Sequence, residues 1–130
     1  MITALYAGLL GLISIWLSFG VGSLRGKSGI PIGDGGNQEL LLAMRKHGNF
    51  VEYAPIFLIL LALLEVNDVS STAIHVMGGA FVISRICHGL GLKADTMAGL
   101  GRLIGAGVTA LLILVASIWS IVTVLPLGGG

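Results

Sequence analysis

Charge is scarce in this sequence. Only 10% of its residues are Asp, Glu, Lys or Arg, against 55% hydrophobic, and a mean hydropathy of +1.02 is too apolar for a chain that must keep its whole surface in water. The net charge is +1 with no basic cluster, which removes the electrostatic footprint of a nucleic-acid binder. A single cysteine, Cys87, excludes an intrachain disulfide and leaves no Cys-based metal site. It reads as a packing residue: the His88 beside it diverges by about 100° on a helix, so the pair is no nucleophile couple. Lys and Arg are also missing from the first 24 residues, so the basic n-region of a secretory signal is absent and the stretch reads as a retained span.

What is present is a set of long uncharged runs. The first charge is Arg25, and residues 103 to 130 carry none, so both stretches are long enough to cross a ~30 Å hydrocarbon core as helices. Four spans are expected, roughly 2–24, 38–65, 70–92 and 98–125, giving an all-α integral membrane four-helix bundle with a single transmembrane domain over 1–130. The first connection is rich in Gly, as a surface loop should be. The second, "EVNDVS", is acidic, and the third holds Lys93 and leads into Arg102. Basic residues near span ends fall in loops one and three, which places those loops in the cytoplasm and both termini on the other side. These lengths suit a bacterial inner membrane as well as an endoplasmic reticulum.

Several features take plain readings. "GSLRGKS", Gly22 to Ser28, imitates a phosphate-binding loop, but Val21 stands where that motif needs its first Gly and no strand precedes it. Gly101 with Gly105, and Ala106 with Ala110, have close-packing spacing, which is also what ordinary glycine frequency in membrane helices produces. His75 reads as an interfacial or helix–helix polar residue, and Trp16 and Trp119 as bundle or lipid-facing anchors.

The second span is different. At about 100° per residue, Gln38, Arg45, Asn49 and Glu52 fall within roughly a 60° sector of one face, with Tyr53 beside it. Only twelve residues separate Glu52 from Glu65, so the span cannot cross unless Glu52 lies inside the membrane. Intramembrane ionisable groups are costly and are functional candidates by default. Arg85 and His88, three residues apart in the third span, offer partners, and a Glu52–Arg85 ion pair would offset part of the cost. Such a pair would serve as a register lock. Arg25, Arg45, Arg85, Lys93 and Arg102, all at the same end, exceed what one carboxylate neutralises, which points to an anionic ligand.

With those residues in view, the chain resembles the MAPEG family, the membrane-associated proteins in eicosanoid and glutathione metabolism. The second-span pattern R-x-H-x-N-x-x-E stands here as Arg45, His47, Asn49 and Glu52, followed by Tyr53 and Pro55. The resemblance implies a homotrimer of four-helix bundles with glutathione as co-substrate, folded between subunits near the cytosolic face. It implies a glutathione-binding set of Arg25, Gln38, Arg45, Asn49, Glu52, Tyr53, Arg85 and His88, in which Glu52 meets the tripeptide's amino group. Arg102 resembles the catalytic arginine set against the sulfur. Leu92 stands where many members have Tyr, and Gly48 where some have a basic residue.

Three functions follow. The first is a glutathione-dependent transferase or peroxidase acting on lipophilic electrophiles or lipid hydroperoxides, with membrane lipid as surroundings. The second is a noncatalytic MAPEG-fold scaffold or thiol-binding protein. The third, a small multidrug transporter, needs a carboxylate in the first span, and that span has none.

Overall fold

The computed structural model describes residues 1–91 and 99–125; Leu92 and Lys93 lie outside them. The chain forms α1 (Thr3–Ser28), α2 (Gln38–Val66), α3 (Ser71–Gly91) and α4 (Leu100–Val124). All four are long and apolar enough to cross a membrane. Even α3, 21 residues long, spans about 31 Å at 1.5 Å per residue, the thickness of a hydrocarbon core. The protein is an integral, multi-pass four-helix bundle.

Local chemistry sets the helix ends. α1 runs past Arg25 to Ser28, beyond the expected span, because Arg25 and Lys27 suit the negative end of a helix and Gly29 (φ 68°) supplies the left-handed cap, its N–H donating to the Arg25 carbonyl at 2.9 Å. α2 starts at Asn37, whose Oδ1 accepts from the Leu40 N–H at 3.1 Å. No side chain within α1 caps its own start. That role falls to Glu65, at the far end of α2, whose carboxylate accepts from the backbone N–H groups of Ile2 and of Thr3, the latter at 2.8 Å, and lies 3.9 Å from the terminal ammonium.

Among the described residues the helices form a ring in the order α1, α2, α4, α3, with α2 and α3 touching across the middle and α1 and α4 apart. α1 and α3 run in the same direction: Tyr6 bonds His75 Nδ1 at 2.8 Å and donates to the His75 carbonyl at 3.0 Å. His75 is thus a helix–helix contact. A side chain at Gly78 would strike the Tyr6 ring at 2.4 Å, so that crossing needs glycine. At mid-height Phe57 stacks on Phe81 with ring centres 3.8 Å apart, amid fully buried Leu10, Leu61, Leu64 and Ile74.

The glycine pair in α4 is consumed within the chain. A Cβ at Gly105 would lie 2.7 Å from the Ser84 carbonyl and 2.8 Å from His88 Cβ, and one at Gly91 would meet the Arg102 backbone N at 2.7 Å. α3 and α4 therefore approach at backbone distance. Ala106 and Ala110 face outward instead. The rest of α4 is the least covered surface, with Leu103, Ile104, Leu111, Leu114 and Ile118 all more than half exposed.

Candidate functional site

The polar residues of the basic end divide into an inner group and an outer one. The inner group centres on Arg85, 2% exposed in the heart of the bundle. Its Nη1 donates to Asn49 Oδ1 at 2.8 Å, and its Nη2 donates to the Gly105 carbonyl at 2.9 Å and to Thr109 Oγ1. The guanidinium carbon sits 5.6 Å from the Phe81 ring centre. Arg85 Nε is buried with no partner. One cation thus joins α2, α3 and α4 without a carboxylate, its charge spread over an amide, a carbonyl and a hydroxyl.

This corrects the expected Glu52–Arg85 ion pair, which is absent among the described residues. The reason is angular. At about 100° per residue Glu52 lies roughly 60° around the helix from Asn49 and nearly opposite the buried Phe50, Phe57 and Leu61. The stripe therefore straddles the rim of the bundle. Asn49 turns in and is half-buried, while Gln38, Arg45 and Glu52 are exposed and Tyr53 is 38% exposed.

Depth makes Glu52 unusual. Phe57 faces Phe81, the midpoint of α3, and Glu52 lies five residues nearer the basic end, about 7.5 Å at 1.5 Å per residue. A carboxylate on the outer face is thereby placed inside the hydrocarbon zone, where an uncovered charge is costly.

Other expected residues take distinct places. His88 is buried one turn beyond Arg85, and Arg85, Arg102 and Lys46 all act on it electrostatically; Arg85 and Arg102 belong to the expected basic cluster, and Lys46 does not. Arg102 is half-buried at the start of α4. Its backbone N–H donates to the Gly99 carbonyl at 2.9 Å; its guanidinium makes no hydrogen bond or ion pair among the described residues. Arg25 folds back on the first loop, donating to the carbonyls of Ile30 at 3.1 Å and Gly33 at 2.8 Å and reaching Met44 Sδ at 3.5 Å. That use holds it in its own loop.

Two clefts open on the bundle. One, about 310 Å³, lies at the basic end between α1, α2 and α3, lined by Trp16, Leu24, Leu42, Lys46 and Gly89. The other, about 380 Å³ and nearly apolar, runs between α1 and α2 past Ser14, Val51 and Pro55. Pro55 has no N–H, which frees the Val51 carbonyl one turn earlier. Neither of these clefts includes Arg45 or Glu52, whose face is exposed in the single chain.

Sequence reasoning missed Ser84, Thr109 and the Gly105 carbonyl. The signal available was indirect: a buried arginine in a carboxylate-poor chain must find neutral acceptors, and Thr109 is the first hydroxyl in α4 after Arg102.

Comparison with known proteins agrees with this architecture. The sequence model of the MAPEG family matches residues 3–122, which takes in all four helices. Two relatives, each named inner membrane protein YecN, from Escherichia coli strain K12 and Escherichia coli O6:H1, are 40% identical over 88 residues, 68% of this chain and 67% of theirs. With the family model matching nearly the whole chain, the protein belongs to the MAPEG family.

Proposed function

We propose that this protein is a glutathione-dependent transferase or peroxidase of a bacterial inner membrane. It acts on lipophilic electrophiles or lipid hydroperoxides as a homotrimer that binds glutathione between subunits, near the cytosolic ends of the helices. The whole chain, 1–130, serves as one MAPEG-like domain.

The observation that carries this reading is the placement of Glu52. An exposed carboxylate about 7.5 Å from mid-bundle, with Arg45 and Tyr53 on the same outward face, needs covering. A neighbouring copy supplies the wall, and a zwitterionic peptide supplies the counter-charges: an ammonium for Glu52 and carboxylates for Arg45. Asn49, Arg85 and His88 line the inner side of this face, Gln38 its mouth, and Arg25 braces the loop above it. The family's link to glutathione and the inner-membrane name of the relatives support the same assignment.

Arg102 carries the chemistry. It stands at the edge of the bilayer, where charge is poorly screened, and its guanidinium faces the bound sulfur and favours thiolate over thiol. The thiolate attacks the electrophilic carbon of a lipophilic substrate, forming the C–S bond as the leaving group departs and takes up the thiol's proton, or attacks the distal oxygen of a hydroperoxide, releasing the alcohol and leaving a sulfenic acid that a second glutathione converts to disulfide and water. The apolar groove past Val51 and Pro55 gives a lipophilic co-substrate its approach.

A second reading, a noncatalytic thiol-binding scaffold, is favoured by one observation: Arg25 is engaged by its own loop, which removes one cation from the ligand. Calorimetric titration of glutathione into detergent-purified protein tests both. Saturable binding at millimolar affinity or better, weakened by about 1–3 kcal/mol in Glu52→Gln, supports the site; no heat of binding refutes it.

A further inference from the structure

The buried hydrogen bonds around Arg85 have a direction. The Ser84 hydroxyl donates to the Phe81 carbonyl at 2.7 Å, and a carbonyl can only accept. The bond of 3.0 Å between Ser84 Oγ and Thr109 Oγ1 must then be donated by Thr109, because the Ser84 proton is already committed. A guanidinium can only donate, so Arg85 gives protons to Thr109 Oγ1 and to the amide of Asn49. The sequence of donation therefore runs from Arg85 through Thr109 and Ser84 to Phe81, and separately from Arg85 to Asn49.

The same donor-only guanidinium fixes an amide. Asn49 turns Oδ1 toward Arg85, which leaves the Nδ2 amino group of this half-buried residue with no protein partner among the described residues. We infer that Thr109 is a positioning residue: by holding the Arg85 guanidinium it locks the Asn49 amide so that α2 offers two N–H donors, and the site therefore selects an acceptor group, a carboxylate or peptide carbonyl of its ligand. The inference rests on the reading that glutathione lies along the α2 face. It adds the polarity of recognition at Asn49 and a residue, Thr109, that never touches the ligand.

The test is a double-mutant cycle read by glutathione calorimetry on the detergent-solubilised protein, with thermal stability and oligomer mass followed alongside. Thr109→Val keeps the volume and removes the hydroxyl, and lowers affinity about five-fold, while Thr109→Ser restores wild-type binding. Asn49→Asp keeps the acceptor for Arg85 but loses both donors, and lowers affinity at least about thirty-fold. The double variant binds no more weakly than Asn49→Asp alone, since both changes act on one contact. A purely packing role for Thr109 makes the two losses add, which overturns the inference. Ser84→Ala is the gentler change if Thr109→Val does not assemble; it too lowers affinity, and unchanged affinity there overturns the inference. Wild-type protein that binds no glutathione overturns the functional reading beneath it. Wild-type binding left intact by Thr109→Val overturns this inference alone.

Discussion

Arg85 and Asn49 meet across α3 and α2 at 2.8 Å, and that bond splits a polar stripe that looks continuous in sequence into an inward half and an outward half. The inward half is a lock. Asn49→Leu leaves Arg85 with one acceptor fewer in a site that is 2% exposed, and the expected cost is about 1–3 kcal/mol. The loss should register as a lower melting temperature in detergent. Unchanged melting would show that the lock contributes nothing to the bundle.

Gly105 and Gly107 provide an internal comparison. A Cβ at Gly105 strikes the Ser84 backbone at 2.7 Å, whereas Gly107 has nothing within 4 Å. Gly105→Ala should separate α3 from α4 at a cost of about 1–3 kcal/mol. Gly107→Ala should be neutral or slightly stabilising, since alanine is the better helix former. Equal melting temperatures for the two variants would mean that the helices do not meet at this distance.

Sidedness is open to direct labelling. Arg25, Lys27, Arg45, Lys46 and Arg102 gather at one end and Glu65 and Asp68 at the other, and the positive-inside rule puts the basic end in the cytosol. Cysteines placed at Ser28 and Ser71, in a Cys87→Ala background, should react with impermeant reagent from opposite sides of sealed vesicles. Labelling from one side would end the four-span topology.

Much of this was legible before any coordinates. Uncharged length marks the first and last spans and apolar length the middle two, and the 100° periodicity brings Arg45, Asn49 and Glu52 to one face. The split of that face was not legible, because a sector of roughly 60° gives no sign of where the rim of the bundle falls. Thr109 was hidden for a related reason. A threonine inside an apolar helix ordinarily bonds its own backbone, and nothing local says that it faces an arginine 24 positions earlier. The capping of α1 by Glu65 joins the two ends of a 63-residue separation, which propensity along the chain cannot reveal.

Glu52 separates ligand binding from folding within one subunit. It is exposed and has no ion pair among the described residues, so Glu52→Gln should leave the bundle of a single chain intact. Affinity for glutathione should fall by about 1–3 kcal/mol, the worth of a charged hydrogen bond. Calorimetry on wild type and variant at matched oligomer mass decides the matter, and equal affinities would confine Glu52 to a contact between subunits.

We propose that Arg102 activates a thiol bound at the cytosolic mouth. A free thiol titrates near pH 8.5 and is only a few per cent ionised at neutral pH. Ultraviolet titration of thiolate absorbance in the protein–glutathione complex measures the bound sulfur directly. The expected midpoint lies about two pH units below that of free glutathione, a differential of about 2.7 kcal/mol. Arg102→Leu should return the midpoint to the free value while oligomer mass and most of the binding persist. A wild-type complex that titrates like free glutathione would contradict the claim and leave the thiol-binding scaffold as the better description.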